Sequence, residues 1–299
     1  MAKSITAIRA GTLLLLVFLP CLTCSSASAE NAASSSPPRL VYASGNRQPY
    51  ALTLLTRALH VAGHPHELVE HTAPYEQGQS LKVLANDRGI DISWSMTSIA
   101  REEMLLPIRI PIFKGLIGWR LPLVNVENSS RFSSVQSLQE LQQYTAGQVH
   151  DWPDVEILEW NGVEVFKSGT YDGLFKMLAM GRIDYFPRSV IEIWGELDQK
   201  PDLGLLVDPY VALHYPTAFY YFVSRSRPDL KALISKGLKI LQETGEFDQL
   251  FLHYHKDVIE RAQLHRRQVI SMVNPGLPEK TPLGDESLWY KVQGKGRAN

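Results

Sequence analysis

Arg88-Gly89-Ile90-Asp91-Ile92-Ser93-Trp94-Ser95-Met96-Thr97-Ser98 is the stretch whose reading decides the fold. It follows Leu81, Leu84 and Ala85, which recur at helical spacing. A helix that stops at a glycine and gives way to a short apolar strand with a polar far end is one step of a βα alternation. The same punctuation returns 93 positions on, from Asp91 to Asp184: Leu174, Met177 and Leu178 lead to Gly181-Arg182-Ile183-Asp184 and then Tyr185-Phe186-Pro187-Arg188-Ser189. In an open α/β sheet, ligands lie beyond the carboxyl ends of the strands, so each repeat carries polar side chains to a rim. Two facing rims predict a cleft.

Working outward, Leu40 to Ala43 reads as a buried strand, Ser44 to Pro49 as a loop, and Tyr50 to Ala62 as a helix with Leu52, Leu55 and Leu59 on one face. Glu67 to Glu70 follows as a strand and Gln79 to Arg88 as a helix. Pro107, Pro111 and Pro122 exclude a helix over Leu105 to Val124, which reads as strands and crossings. After a polar break at Asn125 to Ser134 come a helix at Val135 to Tyr144, a strand at Ala146 to Val149, a helix at Asp154 to Glu159 and a strand at Val163 to Phe166. Leu203 to Val207 closes that half, and the aromatic run His214 to Val223 reads as a strand returning to the first. Pro228 to Glu243 and Glu246 to His255 read as helices broken at Gly245, and Val258 to Val273 as a further helix. The tail Asn274 to Tyr290 reads as extended chain pinned by Leu277, Leu283, Leu288, Trp289 and Tyr290. This order predicts an α/β molecule with a parallel-type sheet in each half, the chain leaving the first near Val124 and re-entering near Tyr210.

The beginning of the chain, with Lys3, Arg9, an apolar run from Leu13 to Leu19 and Ala27-Ser28-Ala29 before Glu30, reads as a secretory signal cleaved after Ala29. Cys21 and Cys24 both lie within it, leaving an exported chain without thiols. Lipid attachment at either cysteine is the lesser alternative, because Cys21-Leu22-Thr23 before Cys24 fits that signal poorly. Ala32 to Pro38 reads as a disordered spacer, and no later stretch has 18 consecutive apolar residues, so the exported chain is expected to be soluble. Losing Lys3 and Arg9 takes 30 basic residues to 28 against 31 acidic ones, which gives no electrostatic footprint for nucleic acid.

The two α/β halves, the double crossing and Thr97-Ser98-Ile99-Ala100-Arg101-Glu102 after a strand resemble the extracellular solute-binding proteins of family 3, the polar amino acid binders of ABC importers. The resemblance covers Arg39 to His255. It implies the two-lobe periplasmic-binding-protein-like type II fold with a two-strand hinge and a central cleft. The lobes fall at 39–124 with 210–257 and at 125–209, between a signal at 1–29 with a spacer at 30–38 and a C-terminal segment at 258–299. By resemblance, Arg101 is the carboxylate clamp, with Thr97, Ser95 and Ser98 as hydroxyl contacts. Where the family places an acid beyond the second repeat, this chain has Pro187-Arg188-Ser189. A guanidinium accepts no hydrogen bond, so with both Arg101 and Arg188 in the cleft the solute is expected to be anionic or zwitterionic. The resemblance further implies a permease or a membrane sensor as partner, a monomeric chain and no cofactor.

Each candidate has a structural alternative. Arg101 can pair with Glu102 or Glu103, and Arg188 with Glu192 one helical turn on. Asp151 and Trp152 precede Pro153 at a helix start whose free N–H groups suit an anion. Trp152, Trp94 and Tyr185 serve equally as cleft walls or core, and Asn46 and Arg47 as rim or solvated turn. His66 and His71 lie five apart, where one helix face needs four, so no metal site is assigned. The mature chain lacks G-x-S-x-G, G-x-G-x-x-G and cysteine, leaving an enzyme with His150 and Asp151 as acid and base, or a module without a ligand, as alternatives.

Overall fold

A computed structural model describes residues 37–44 and 48–292; the signal, most of the spacer, Asn46, Arg47 and the final residues lie outside these. In order the elements are β1 (Arg39–Tyr42), α1 (Pro49–Val61), β2 (Glu67–Glu70), α2 (Gln77–Ala85), β3 (Ile92–Met96), α3 (Ile99–Met104) and β4 (Leu106–Ile108). There follow β5 (Trp119–Asn125), α4 (Leu138–Leu141), β6 (Ala146–Val149), α5 (Pro153–Trp160), β7 (Val165–Ser168), α6 (Tyr171–Ala179), β8 (Phe186–Ser189), α7 (Ile193–Asp198), β9 (Leu205–Val207) and β10 (Val211–His214). The chain continues through β11 (Phe219–Val223), α8 (Pro228–Glu243), α9 (Glu246–Ala262) and β12 (Gln268–Ser271).

The first sheet has the order β2-β1-β3-β11-β4, with β1 parallel to β2 and β3, and β11 antiparallel to β3 and β4. Its core is closed by α1, which buries Leu54, Leu55, Ala58 and Leu59, and by α8, which buries Leu230, Ile234, Leu238 and Leu241. The second sheet has the order β12-β10-β5-β8, with β9 also on β5, and the parallel pair β6-β7 reaches it through a bridge from Ala146 to Tyr185. Both sheets are therefore mixed, not parallel as the alternation suggested. β5 brings the chain in from the first sheet and β10 takes it out, so the two must run in opposite directions where they pair at Arg120 and Leu213.

Both crossing strands lie in the second sheet, so 119–124 and 210–214 belong with it and not with the first half, where the alternation put them. Between the sheets the chain passes through 109–118 and again through 215–218. The two segments meet where the Tyr215 amide donates to the Gly118 carbonyl at 3.2 Å. A Cβ on Gly118 would collide with the Tyr215 carbonyl oxygen, so glycine is needed there to let the backbones approach.

The repeated punctuation has a common structural use. Gly89 and Gly181 hold φ of 82° and 67°, the left-handed conformation that turns the chain from helix into strand. Asp91 then donates its amide to the Val41 carbonyl at 2.8 Å and accepts the Val41 amide on Oδ2 at 2.8 Å. Asp184 does the same to Thr145, at 2.9 and 2.8 Å. Each aspartate clips the start of its strand to the neighbouring one.

Helix α9 ends at Ala262, where Gln263 takes a left-handed conformation, and Gln268 to Ser271 form β12 parallel to β10. The helix expected at Val258 to Val273 thus gives way to a strand, in which β-branched Val269 and Ile270 suit the pleat. From there the chain returns across the crossings: Asn274 donates to the Pro216 carbonyl at 2.9 Å, Ile99 to the Gly276 carbonyl at 3.0 Å, and Tyr290 to the Lys114 carbonyl at 2.8 Å. Leu288 is buried and Trp289 packs against the core, but Leu283 is exposed and pins nothing.

Candidate functional site

Between the two sheets lies a cleft of about 510 Å³, within the usual range for small-molecule sites. The first sheet's side supplies Ser44, Gln48, Tyr75, Gln77, Ser80, Met96 and Phe219, with Glu76 at the edge. The second sheet's side supplies Arg120, Trp152, Asp154, Thr170, Tyr171, Arg188 and Glu192. Arg120 stands on β5 opposite Ser189 and Arg188 on β8 opposite Leu121, a register that starts the two side chains on opposite faces of the sheet, yet both guanidiniums reach Glu192 and line the cleft.

That wall is an ion-pair network. Arg188 donates Nε to Glu196 at 2.7 Å and Nη2 to the same carboxylate at 2.5 Å, with Glu192 at 3.2 Å. The Arg188 guanidinium lies 4.7 Å from the Trp152 ring centre and 5.6 Å from that of Tyr171. Arg120 meets Asp154 at 2.8 Å and Glu192 at 3.7 Å, and donates Nε to the Tyr215 hydroxyl at 2.9 Å. Burial works against both charges, but the carboxylates outweigh it and hold both arginine pKa values above the usual one. For Glu192, burial dominates the pull of Arg188 and Arg120, and its pKa is raised.

Beside the cleft the two sides touch at Asp151. Its Oδ2 accepts the Gly78 amide at the start of α2 at 2.9 Å, and its carbonyl accepts Arg101 Nη2 at 3.3 Å. The contact joins the first turn of one helix to the segment that leads into α5.

No protein-family model and no curated protein matches the sequence. Solved structures do match the described architecture. The chain is similar to an ancestral arginine-binding protein bound to glutamine, with TM-score 0.57, 16% identity, and 74% of this chain and 99% of that one covered. A Salmonella typhimurium periplasmic binding protein with high arginine specificity gives 0.55 at 13% identity over 73% and 99%. A histidine kinase sensor domain with similarity to periplasmic binding proteins gives 0.55 at 16% over 73% and 96%. The fold is that of the two-lobe periplasmic binding proteins. The first sheet with its helices is one lobe of that fold, and the second sheet is the other.

Within the periplasmic-binding-protein fold, the residues expected at the site divide into three groups. Arg188 and Trp152 line the cleft, although Arg188 is already bound to Glu196 and Glu192. Asp151 makes the interlobe contact. Arg101 is buried beside Asp151, where it lines two cavities of about 580 and 440 Å³ that adjoin the cleft, and it donates Nη1 to Ser95 Oγ and to the Met96 carbonyl, both at 2.9 Å. Burial pulls its pKa down to about 10, against the charges of Asp151 and Asp154.

The three hydroxyls support the α3 region: Ser95 accepts Arg101, Ser98 caps α3 by accepting the Arg101 amide at 3.3 Å while also lining an adjoining cavity, and Thr97 donates to Glu102 at 2.7 Å. Trp94 is core, its Nε1 donating to Gln48 at 2.6 Å while its ring packs on Tyr42 and Tyr221. Tyr185 is core against Phe132. Asn46 and Arg47 lie outside the described residues. His150 is exposed, with Nδ1 at 3.2 Å from the Ser168 carbonyl, and lines the adjoining cavities with Arg101 and Asp151.

The residues that the sequence reading passed over are Arg120, Asp154, Tyr171 and Tyr75. A signal for Arg120 existed: it is a lone charge in the apolar stretch Leu116 to Val124, and a buried arginine needs a carboxylate. Tyr75 and Tyr171 carried no such mark, since an aromatic in a loop or a helix start reads the same whether or not it faces a cavity.

Proposed function

We propose that this protein is a periplasmic solute-binding protein whose lobes close over a small polar solute, for delivery to an ABC permease or for reading by a membrane sensor. The observation that carries the reading is the cleft of about 510 Å³ between two sheets joined by a double crossing, with an interlobe contact at Asp151 beside it. Movement of two bodies about paired crossings is the usual way such a cleft opens and shuts. The named functions of the structural neighbours, arginine binding and kinase sensing, support delivery and reading alike. The grip of Arg188 on an anion has no support from the geometry, because it is bound to Glu196, while Arg101 lines the cavities adjoining the cleft and has no carboxylate ion-pair partner among the described residues. His150 and Asp151, the acid and base of the enzyme alternative, line the cavities adjoining the cleft and not the cleft itself.

Thermal melting against a panel of amino acids, amines, carboxylates and sugars tests the proposal. A solute at 100 times its dissociation constant adds about 2.7 kcal/mol. For a chain of this size, that amounts to a rise of about 5 to 10 °C. If no small polar solute moves the transition, the proposal fails.

A further inference from the structure

We infer that the cleft recognises an organic cation, an amine or guanidine, through a surplus carboxylate and aromatic faces, and that Arg120 and Arg188, the two arginines lining it, are already paired and receive no carboxylate. This rests on the solute-binding reading above and names the class of solute. Each arginine of the wall has a carboxylate of its own: Arg188 meets both oxygens of Glu196 at 2.7 and 2.5 Å, and Arg120 meets Asp154 at 2.8 Å. Glu192 is the third acid for two cations. It stands farther from both, at 3.2 Å from Arg188 and 3.7 Å from Arg120, and it lines the cleft.

Across the cavity Glu76 has no ion-pair partner among the described residues, while Asp172 is answered by Lys200 at 2.8 Å. The rings of Tyr75, Trp152 and Tyr171 line the same space, and a cation over such a face is attracted by its quadrupole. A carboxylate entering here would be repelled by Glu192 and Asp154 and would find the guanidiniums already taken. An ammonium or guanidinium would complete the charge balance.

Agmatine and L-arginine differ only by the carboxylate, so titration calorimetry of the purified protein with this pair isolates the claim. Putrescine, succinate and L-glutamate complete the set. Agmatine should bind at least as tightly as L-arginine, putrescine should bind, and succinate should not. Glu192→Gln should weaken agmatine at least tenfold. Should that variant fail to fold, Glu76→Gln at the exposed edge should weaken agmatine about threefold.

L-arginine binding tenfold or more tightly than agmatine, or succinate or L-glutamate binding while the amines do not, would overturn the inference and leave the solute-binding reading standing. Unchanged agmatine affinity in both variants would likewise overturn it. If none of these probes binds, the inference fails; if the wider melting panel is also silent, the binding reading fails with it.

Discussion

Asp91 and Asp184 are the same device used twice. Each exchanges two hydrogen bonds with one residue of the adjacent strand, Val41 or Thr145, so the backbone at the strand entrance is satisfied without water. Removing the carboxylate leaves that amide without its partner. Asp184→Ala should therefore cost about 1 to 3 kcal/mol in urea unfolding, and also lose the ion pair to Arg131. Asp91→Ala should fall in the same range. A cost under a few tenths of a kcal/mol in both would refute the clip. The repeat in the sequence is thus legible as architecture, and its variable continuations, Ser95 to Ser98 and Arg188 to Ser189, are where the two lobes part ways. Which of those side chains reach the cleft was not legible, because Arg101 and Arg188 look alike in sequence and differ only in what stands beside them.

At the scale of elements, the junction of α2 with the segment before α5 governs how the lobes meet. The Asp151 carboxylate takes a free amide of the first turn of α2, a contact favoured by the positive end of that helix. Asp151→Ala removes this contact while the carbonyl contact with Arg101 remains. The variant should populate a more open form, seen as a larger radius of gyration in small-angle scattering, with a weaker apparent solute affinity. Identical scattering curves for variant and wild type would show that Asp151 does not hold the lobes together. The helices themselves were read closely from spacing: α1, α5, α8 and the start of α9 fall where the apolar pattern put them. The strands of the crossings were not, because a run such as Leu105 to Val124 carries no mark of which sheet will pair with it.

For the whole molecule, a buried histidine, His255, and a half-buried one, His214, set a pH response. His255 lies among Tyr50, Phe113 and Phe251, and His214 stacks on Trp119 at 4.2 Å; burial lowers both pKa values to about 4. The unfolded chain takes up these protons near pH 6.5 and the folded chain does not, so their contribution is full above about pH 6.5 and is lost as pH falls toward 4. Between pH 7 and pH 5 each histidine should remove about 2 kcal/mol of stability. Denaturant unfolding of His255→Phe should show a pH slope shallower than wild type by about that amount. Parallel slopes would mean that His255 is not neutral in the fold.

Pattern and punctuation along the chain fixed the α/β class, the repeated helix-turn-strand step, the double crossing and most helix positions. These depend on neighbours a few residues apart, through helical spacing and turn conformation. Only the tertiary structure decided that both sheets are mixed, that β12 joins the second, that Arg101 lies beside Asp151, and that Arg188, Arg120 and three carboxylates share one wall. Those outcomes depend on side chains brought together from distant parts of the chain. The charge of a buried site is a sum over such partners, and no single segment contains it.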